Sequence, residues 1–273
     1  MDESCKTKYP VMLVHGTGFR DMKLPLYWGR IPRVLCERGA DVHYGMQDGW
    51  ASAAANAARL IERVREILAR TGTEKINLIG HSKGGLEVRM VAASPEMEGK
   101  VASVTTVATP HHGSKTMDRL LRAPQRLFNM AAFAVNNWTR AFGDREPDFT
   151  TVCREFSTAH MEKFNRDYPD CPDVFYQSFA CAMSRPLSDV NLATAHFIIK
   201  LIEGENDGLV TVESARWGEN FTFLKSVSRR GISHLDEVDF RRMPFSKKHA
   251  PGRVSDICEV YTGIVSDLKN RGF

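Results

Sequence analysis

The sequence predicts an α/β fold with a mostly parallel central sheet and helices on both faces. Apolar runs of strand length alternate with stretches of helical periodicity, which is typical of a parallel sheet covered on both sides. The chain has 273 residues, and 42% of them are hydrophobic, which is enough for one substantial core. We therefore expect residues 1–273 to form a single domain.

Composition and charge narrow the function classes. The net charge of +4 comes from mixed charges spread along the chain, which argues against nucleic-acid binding. No stretch has the uninterrupted apolar length of a membrane span. Residues 1–6 are polar and lack a hydrophobic signal-peptide core, so we expect a cytoplasmic protein or a secreted one whose signal has been removed.

The six cysteines are scattered and form no C-x-x-C pair, so we expect no zinc site. Free buried thiols are the expected state. The alternative is pairing among Cys153, Cys171 and Cys181 in a secreted form.

The N-terminal third shows the alternation most clearly. An apolar strand at 9–14 ends in His15-Gly16, and a glycine-flanked loop there can turn a backbone N–H towards a neighbouring site. The following elements are predicted as a helix at 27–39, a short strand at 41–44 and a long amphipathic helix at 52–70, which Gly72 closes.

The motif Gly80-x-Ser82-x-Gly84 lies between an apolar strand and a helical stretch at 86–93. A serine on such a strand-to-helix turn is exposed at the sheet edge, and the crowded backbone requires small residues two positions to either side. The helix N-terminus also favours a developing oxyanion. Ser82 is therefore the candidate nucleophile, and the alternative is a chance match in a loop.

The regular alternation stops after a strand at 101–108. His111 and His112 follow this strand, and we expect them to pack in the loop rather than to act in catalysis. Residues 127–142 predict a helix that is apolar nearly all round. Such a helix is either part of the core or part of a lid that opens on an apolar substrate surface. The insertion at 116–173 is the predicted lid.

The C-terminal part supplies an acid and a base. A strand at 174–180 resumes the sheet, residues 195–202 fit a helix or a strand, and 254–269 predict a final amphipathic helix. Ser82, Asp207 and His234 follow the chain order of a serine-hydrolase triad. In such a triad the histidine takes the serine proton and the aspartate orients the imidazole. The alternatives are His196 or His249 for the base and Asp189 or Asp239 for the acid.

These motifs together resemble bacterial triacylglycerol lipases of the pseudomonad true-lipase type, which have the α/β-hydrolase fold. The segments that carry the resemblance are Val14-His15-Gly16, 77–82, His112-Gly113-Ser114, 206–210 and 234–238. The resemblance implies Ser82 as nucleophile, Asp207 as acid and His234 as base, with the backbone N–H groups of Thr17 and Lys83 as the oxyanion hole. Lys83 stands where the family often has glutamine, and we expect its side chain to be exposed.

The resemblance also implies a structural calcium ion that ties the histidine loop to an upstream acidic loop. Asp236 and Asp189 are the carboxylates at the corresponding positions, and oxygen ligands of this type suit calcium. The glutamine that the family has further on is absent, because the chain continues Asp239-Phe240-Arg241-Arg242. The alternative is that Asp236 only hydrogen-bonds its own loop. The chemistry itself requires no cofactor.

We therefore expect a triacylglycerol lipase that hydrolyses lipid esters, with a lipid–water interface as one place of action. A short-chain carboxylesterase or polyester hydrolase is the alternative among enzymes. A non-catalytic binding protein of the α/β-hydrolase fold is the alternative from another class, and the complete set of triad residues argues against it.

Overall fold

Six strands form the sheet in a computed structural model that describes residues 2–17, 27–49, 51–130, 132–133 and 149–273. The strands are β1 Val11–Val14, β2 Val42–Tyr44, β3 Ile76–His81, β4 Val101–Val107, β5 Phe175–Ala180 and β6 Phe221–Phe223. Their order is β2-β1-β3-β4-β5-β6, and every neighbouring pair is parallel. The prediction of a mostly parallel sheet is confirmed.

Helices connect the strands in the described part of the chain. They are α1 Ile31–Glu37, α2 Ala53–Thr71, α3 Lys83–Ala93, α4 Lys115–Leu121, α5 Phe149–Glu155, α6 Thr158–Asp167, α7 Ala193–Ile202, α8 Val212–Ala215 and α9 Ile257–Asn270. The Ser52 side chain caps α2 by accepting the Ala55 N–H. Gly72 ends α2 at a φ of 69°, which a glycine adopts without strain.

The two faces of the sheet bury separate hydrophobic clusters. Met12 and Val14 pack with residues of α2, α3 and α6, whereas Val11 and Leu13 pack with residues of α1 and α9. Successive side chains of a strand point to opposite faces, so this division places helices on both sides of the sheet. The predicted α/β-hydrolase architecture is confirmed in this respect.

Helix α1 and strand β6 differ from the sequence-based expectation, and one segment that the sequence left open is now assigned. Helix α1 begins at Ile31 rather than at 27, because Pro32 fits the first turn of a helix better than its interior. The ambiguous residues 195–202 belong to α7. Strand β6 was not predicted, since three residues at the sheet edge are too short for a periodic signal.

All six cysteines lie in the described residues and are free thiols, as expected; four of them are buried, whereas Cys171 is half-buried and Cys36 is exposed. No helix among these residues is long and apolar enough to cross a membrane.

The insertion between β4 and β5 is helical where it is described. Helices α4, α5 and α6 lie in it, and residues 125–130 are also helical. Phe128 and Ala132 are buried and pack near Cys153, while Leu127, Met130 and Phe133 are 57%, 68% and 69% exposed. This helix therefore buries one apolar face and exposes another. The predicted apolar residues at 134–142 lie outside the described residues.

The start of α3 lies against the C-terminal end of β1. A Cβ atom at Gly84 would meet Val14 O and would come within 2.5 Å of His15 O. A Cβ at Gly80 would come within 2.5 Å of Gly84 O. Because these neighbours are backbone atoms, they cannot move aside as a flexible side chain could, and both positions require glycine.

We expect Gly84→Ala to lower the free energy of unfolding by roughly 2–4 kcal/mol, since the added methyl group overlaps the β1 backbone. Gly263→Ala is the matched control, because a Cβ there meets nothing within 4 Å and alanine favours the interior of α9 by about 0.5–1 kcal/mol. Urea unfolding of both variants measures the difference. Equal stabilities for the two variants would contradict the close approach.

Candidate active site

Ser82 occupies the strained turn between β3 and α3. Its φ is 55° and its ψ is −127°, a conformation that costs free energy in any residue other than glycine and is typical of functional sites. The Ser82 N–H donates to Val107 O of β4 at 2.9 Å. The turn is thus fixed by a neighbouring strand and by the two glycines, as expected for a nucleophile elbow.

Asp207 and His234 are joined by a buried hydrogen bond. His234 Nδ1 lies 2.7 Å from Asp207 Oδ2. The other oxygen, Asp207 Oδ1, accepts the backbone N–H groups of Leu209 and Val210 at 2.8 Å each. The His234 N–H also donates to Asp207 O at 2.9 Å. These contacts fix the imidazole so that Nε2 is the nitrogen left for proton transfer.

The ring of His234 also packs beside the elbow. Its centroid lies 4.5 Å from that of His81, the residue directly before Ser82. Within the described residues, His234 hydrogen-bonds Asp207 but not Ser82. The structure therefore brings base and acid together, whereas no hydrogen bond joins Ser82 and His234. Such contacts often tighten only when substrate binds.

The alternative acids and bases have other partners. His196 Nδ1 lies 2.9 Å from Asn206 Oδ1, and His249 has a largely exposed side chain near Glu259. Asp239 is paired with Arg30 at 2.7 Å. His111 is buried, and its ring nitrogens lie within hydrogen-bonding distance of Thr106 and Arg89 and not of a triad residue. These positions agree with the choice of Asp207 and His234.

Sequence reasoning missed a buried polar chain behind the elbow. Glu237 Oε2 lies 3.1 Å from His81 Nε2 and 3.7 Å from His234 Nδ1. His81 Nδ1 lies 2.6 Å from the Tyr27 hydroxyl, which accepts the Gly16 N–H at 3.0 Å. The spacing of three between His234 and Glu237 was the available signal, since it places both on one tight turn.

Burial controls the protonation of Glu237 and His81 in this buried polar chain. It raises the pKa of Glu237 well above its usual value, and the nearby Asp207 adds to the shift. Burial also lowers the pKa of His81, with His234 adding to that shift. His81 is therefore neutral at physiological pH, and its contact with Glu237 is a hydrogen bond rather than an ion pair.

Both predicted oxyanion donors are next to residues of the elbow. Lys83 is the first residue of α3, where a backbone N–H has no acceptor within the helix. Thr17 follows Gly16, whose Cα lies so close to the elbow that an added Cβ would be 2.9 Å from Ser82 Cβ. Thr17 is half-buried and its hydroxyl has no hydrogen-bond partner among the described residues.

The Lys83 side chain is buried, so the expectation of an exposed tether was wrong. The residue is only 4% exposed. Its Nζ donates to Ala51 O and lies 3.5 Å from Glu87 Oε1. Glu87 also accepts from the amide groups of Asn56 and Gln47. A buried carboxylate one turn along α3 draws the lysine inwards, which its residue type alone does not indicate.

The residues predicted to bind calcium do not fit that ion, because a guanidinium group already bridges them. Arg241 Nη2 lies 3.4 Å from Asp189 Oδ2 and Arg241 Nε lies 3.2 Å from Asp236 Oδ1. Arg241 Nη2 also donates to Ser188 O at 3.1 Å. Calcium needs six to eight oxygen ligands, and here the two carboxylates and the carbonyl face a fixed cation.

Two clusters of potential metal ligands occur among the described residues, and neither contains Asp189 or Asp236. One cluster consists of His81, His234 and Glu237, whose contacts with each other and with Asp207 are given above. The other consists of Asp239, Asp256 and Cys258. Arg30 donates to both of these carboxylates at 2.7–2.9 Å, so this second cluster also holds a guanidinium.

Comparison with known proteins places this geometry in a family. The sequence profile of the α/β-hydrolase fold matches residues 25–171. A triacylglycerol lipase of Pseudomonas fragi is 31% identical, and the match covers 88% of this chain and 90% of that lipase. Triacylglycerol lipase 2 of Saccharomyces cerevisiae is 28% identical, and the match covers 90% of this chain and 74% of that protein.

Solved structures agree with this placement. A metagenomic carboxyl esterase superposes with a TM-score of 0.69 over 96% of this chain and 76% of its own, at 18% identity. The chain belongs to the α/β-hydrolase family. The predicted fold and the predicted resemblance to bacterial triacylglycerol lipases are confirmed.

We expect Glu87→Gln to change how stability depends on pH. Burial raises the pKa of Glu87 from 4.5 to about 7, so the folded chain binds more protons than the unfolded chain between these values. The associated stability is complete below pH 4.5 and is lost as the pH rises to about 7. The variant lacks this loss. As the pH rises through this range, the free energy of unfolding of the variant should therefore increase by roughly 2–3 kcal/mol relative to that of the wild type.

Urea titrations at several pH values measure this difference. Glu98→Gln is the control, because it is the same substitution at an exposed position. Parallel pH profiles for the wild type and the Glu87 variant would contradict the buried-carboxylate interpretation.

Proposed function

We propose that the protein is a triacylglycerol lipase, a carboxylic-ester hydrolase that cleaves lipid esters through an acyl-enzyme on Ser82. The observation that carries the proposal is the buried His234–Asp207 hydrogen bond of 2.7 Å beside the strained elbow of Ser82. The triacylglycerol lipases of P. fragi and S. cerevisiae, which are similar over most of their length, support the substrate class.

Acylation begins when Ser82 Oγ attacks the carbonyl carbon of the ester while His234 Nε2 accepts the hydroxyl proton. Asp207 keeps the other imidazole proton on Nδ1 and stabilises the imidazolium. The carbonyl oxygen becomes negative and accepts hydrogen bonds from the N–H groups of Thr17 and Lys83. The ester C–O bond then breaks, and His234 returns the proton to the departing alcohol.

Deacylation repeats these steps with water. His234 Nε2 removes a proton from a water molecule, whose oxygen attacks the acyl carbon. The bond to Ser82 Oγ breaks, the serine regains its proton from His234, and the fatty acid leaves. These steps use no metal and no cofactor.

We expect Ser82→Ala to lower kcat for p-nitrophenyl esters by roughly 10³-fold or more, because no nucleophile remains. A fluorophosphonate probe should label the wild type and not this variant. Ser266→Ala is the control, since Ser266 lies on α9, which packs on the other face of the sheet from α3.

The acyl-chain profile of the wild type separates the enzyme classes. A preference for long chains supports the lipase, whereas a short-chain optimum would identify a carboxylesterase or polyester hydrolase. Full activity in Ser82→Ala would overturn the mechanism. A wild type that neither reacts with the probe nor cleaves any ester would be a binding protein of this fold.

An apolar surface supports action at a lipid interface. Large apolar side chains are exposed on α7 and in the insertion, among them Phe197 at 54%, Leu201 at 71% and Met130 at 68%. Glu203, at the end of α7, accepts from Ser114 Oγ and Thr116 N at 2.7 Å each, so α7 is tied to the start of the insertion. We propose that residues 116–173 act as a lid and that this surface contacts lipid.

We expect Phe197→Ser with Leu201→Ser to weaken binding to triacylglycerol emulsions roughly tenfold or more, because two apolar contacts of up to about 1.5–3 kcal/mol each are lost. Hydrolysis of a soluble short-chain ester should stay unchanged. Phe197→Leu with Leu201→Met keeps the surface apolar and serves as the control. An equal loss on emulsified and soluble substrates would argue against a lipid-binding surface.

A further inference from the structure

A cluster of charged residues holds the loop that carries His234. The carboxyl groups of Asp189 and Asp236 are almost completely buried, with side-chain exposures of 5% and 3%. Arg241 lies between them and contacts both, and it also donates to Ser188 O. Arg230 donates to the same carbonyl, so two guanidinium groups meet at Ser188 O, and one of them, Arg241, contacts both carboxylates.

We propose that the guanidinium of Arg241 is the resident cation of this site and positions the His234 loop without a metal ion. The inference rests on the proposed function only in naming His234 as the base. It also gives a role to Arg241, one of the two arginines that follow the loop.

Charge and shape both support this assignment. Two carboxylates carry the charge that one divalent ion would neutralise, and Arg241 together with Arg230 supplies the same positive charge. A guanidinium group is planar, keeps its proton at all relevant pH values and offers several donors in a fixed fork. It can therefore bridge two carboxylates and a carbonyl, which a single ammonium group cannot do with the same geometry.

The cluster is connected to His234 through the backbone. Ser233 Oγ donates to Asp189 Oδ2 at 2.8 Å and accepts the Asp236 N–H at 3.2 Å. The Ser233 N–H donates to Asp236 Oδ2 at 3.1 Å. His234 lies inside this turn. Arg241 is therefore a positioning residue, because it acts on the imidazole through the two carboxylates and the turn that they hold.

The first experiment uses the wild-type protein. We expect EDTA and millimolar calcium chloride to leave both Tm and kcat unchanged, since the carboxylates already have their cation. A Tm that rises with calcium and falls with EDTA would overturn the proposal and restore the calcium site.

The second experiment compares Arg241→Gln with Arg242→Gln, a matched loss of one positive charge at the neighbouring exposed residue. We expect Arg241→Gln to lower Tm by roughly 5–10 °C, because it leaves buried carboxylates without a partner. Its kcat should fall by roughly 10- to 100-fold with KM little changed, because the imidazole loses its alignment. Arg241→Lys should recover only part of this loss.

Adding calcium to Arg241→Gln tests whether Arg241 serves as the cation of this site or only packs against the loop. An amide oxygen is a calcium ligand, so millimolar calcium should restore at least half of the Tm lost in Arg241→Gln. The double variant Arg241→Gln with Asp189→Asn should show no such recovery. Wild-type Tm and kcat in Arg241→Gln, or a loss that calcium does not restore, would each overturn the proposal.

Tm measurements in a Ser82→Ala background separate this proposal from the proposed function. The calcium response of Tm does not depend on hydrolysis. If Ser82→Ala kept its activity, the proposed mechanism would fail while the Tm data would still decide the role of Arg241.

Discussion

The close approach of the β3–α3 turn to the end of β1 is the constraint on which the site depends. Gly84 touches the β1 backbone, and Ser82 is held at a positive φ because the strand must turn directly into the helix. The same approach brings Gly16 against Ser82, and so brings Thr17, the residue after Gly16, close to the serine. Parallel strands end at one edge of the sheet, so this turn also faces the loops that carry Asp207 and His234.

Around this turn the fold buries several ionisable side chains. Lys83 and Glu87 form one buried pair, and Glu237 lies behind His81. Burying such groups costs free energy unless each finds a partner. Each of them has one, and several are hydrogen-bonded to the loops that surround the elbow. The polar groups therefore specify how the loops lie against the sheet, while the apolar clusters on its two faces supply most of the stability.

The sequence was sufficient to predict elements whose signal is local. The elbow is defined by its glycines, α2 by its periodicity and its Ser52 and Gly72 caps, and the pairing of Asp207 with His234 by their order and loop positions. The burial of Lys83, the chain from Glu237 to Tyr27 and the position of Arg241 could not be predicted in the same way. Each involves contacts between residues distant in sequence, such as the 32 positions between Ala51 and Lys83 and the 52 positions between Asp189 and Arg241, which no local pattern encodes.

A histidine on an irregular loop has few backbone hydrogen bonds to hold it, yet proton transfer requires its ring to be placed within a fraction of an ångström. Here two arginines fix the part of the chain that follows His234. Arg241 holds the turn at Asp236, and Arg30 binds Asp239 and Asp256 through four side-chain hydrogen bonds of 2.7–2.9 Å. A guanidinium supplied by the chain itself cannot dissociate or be removed by a chelator. On the proposed role of Arg241, the alignment of His234 therefore depends on the folded chain and not on the concentration of an ion.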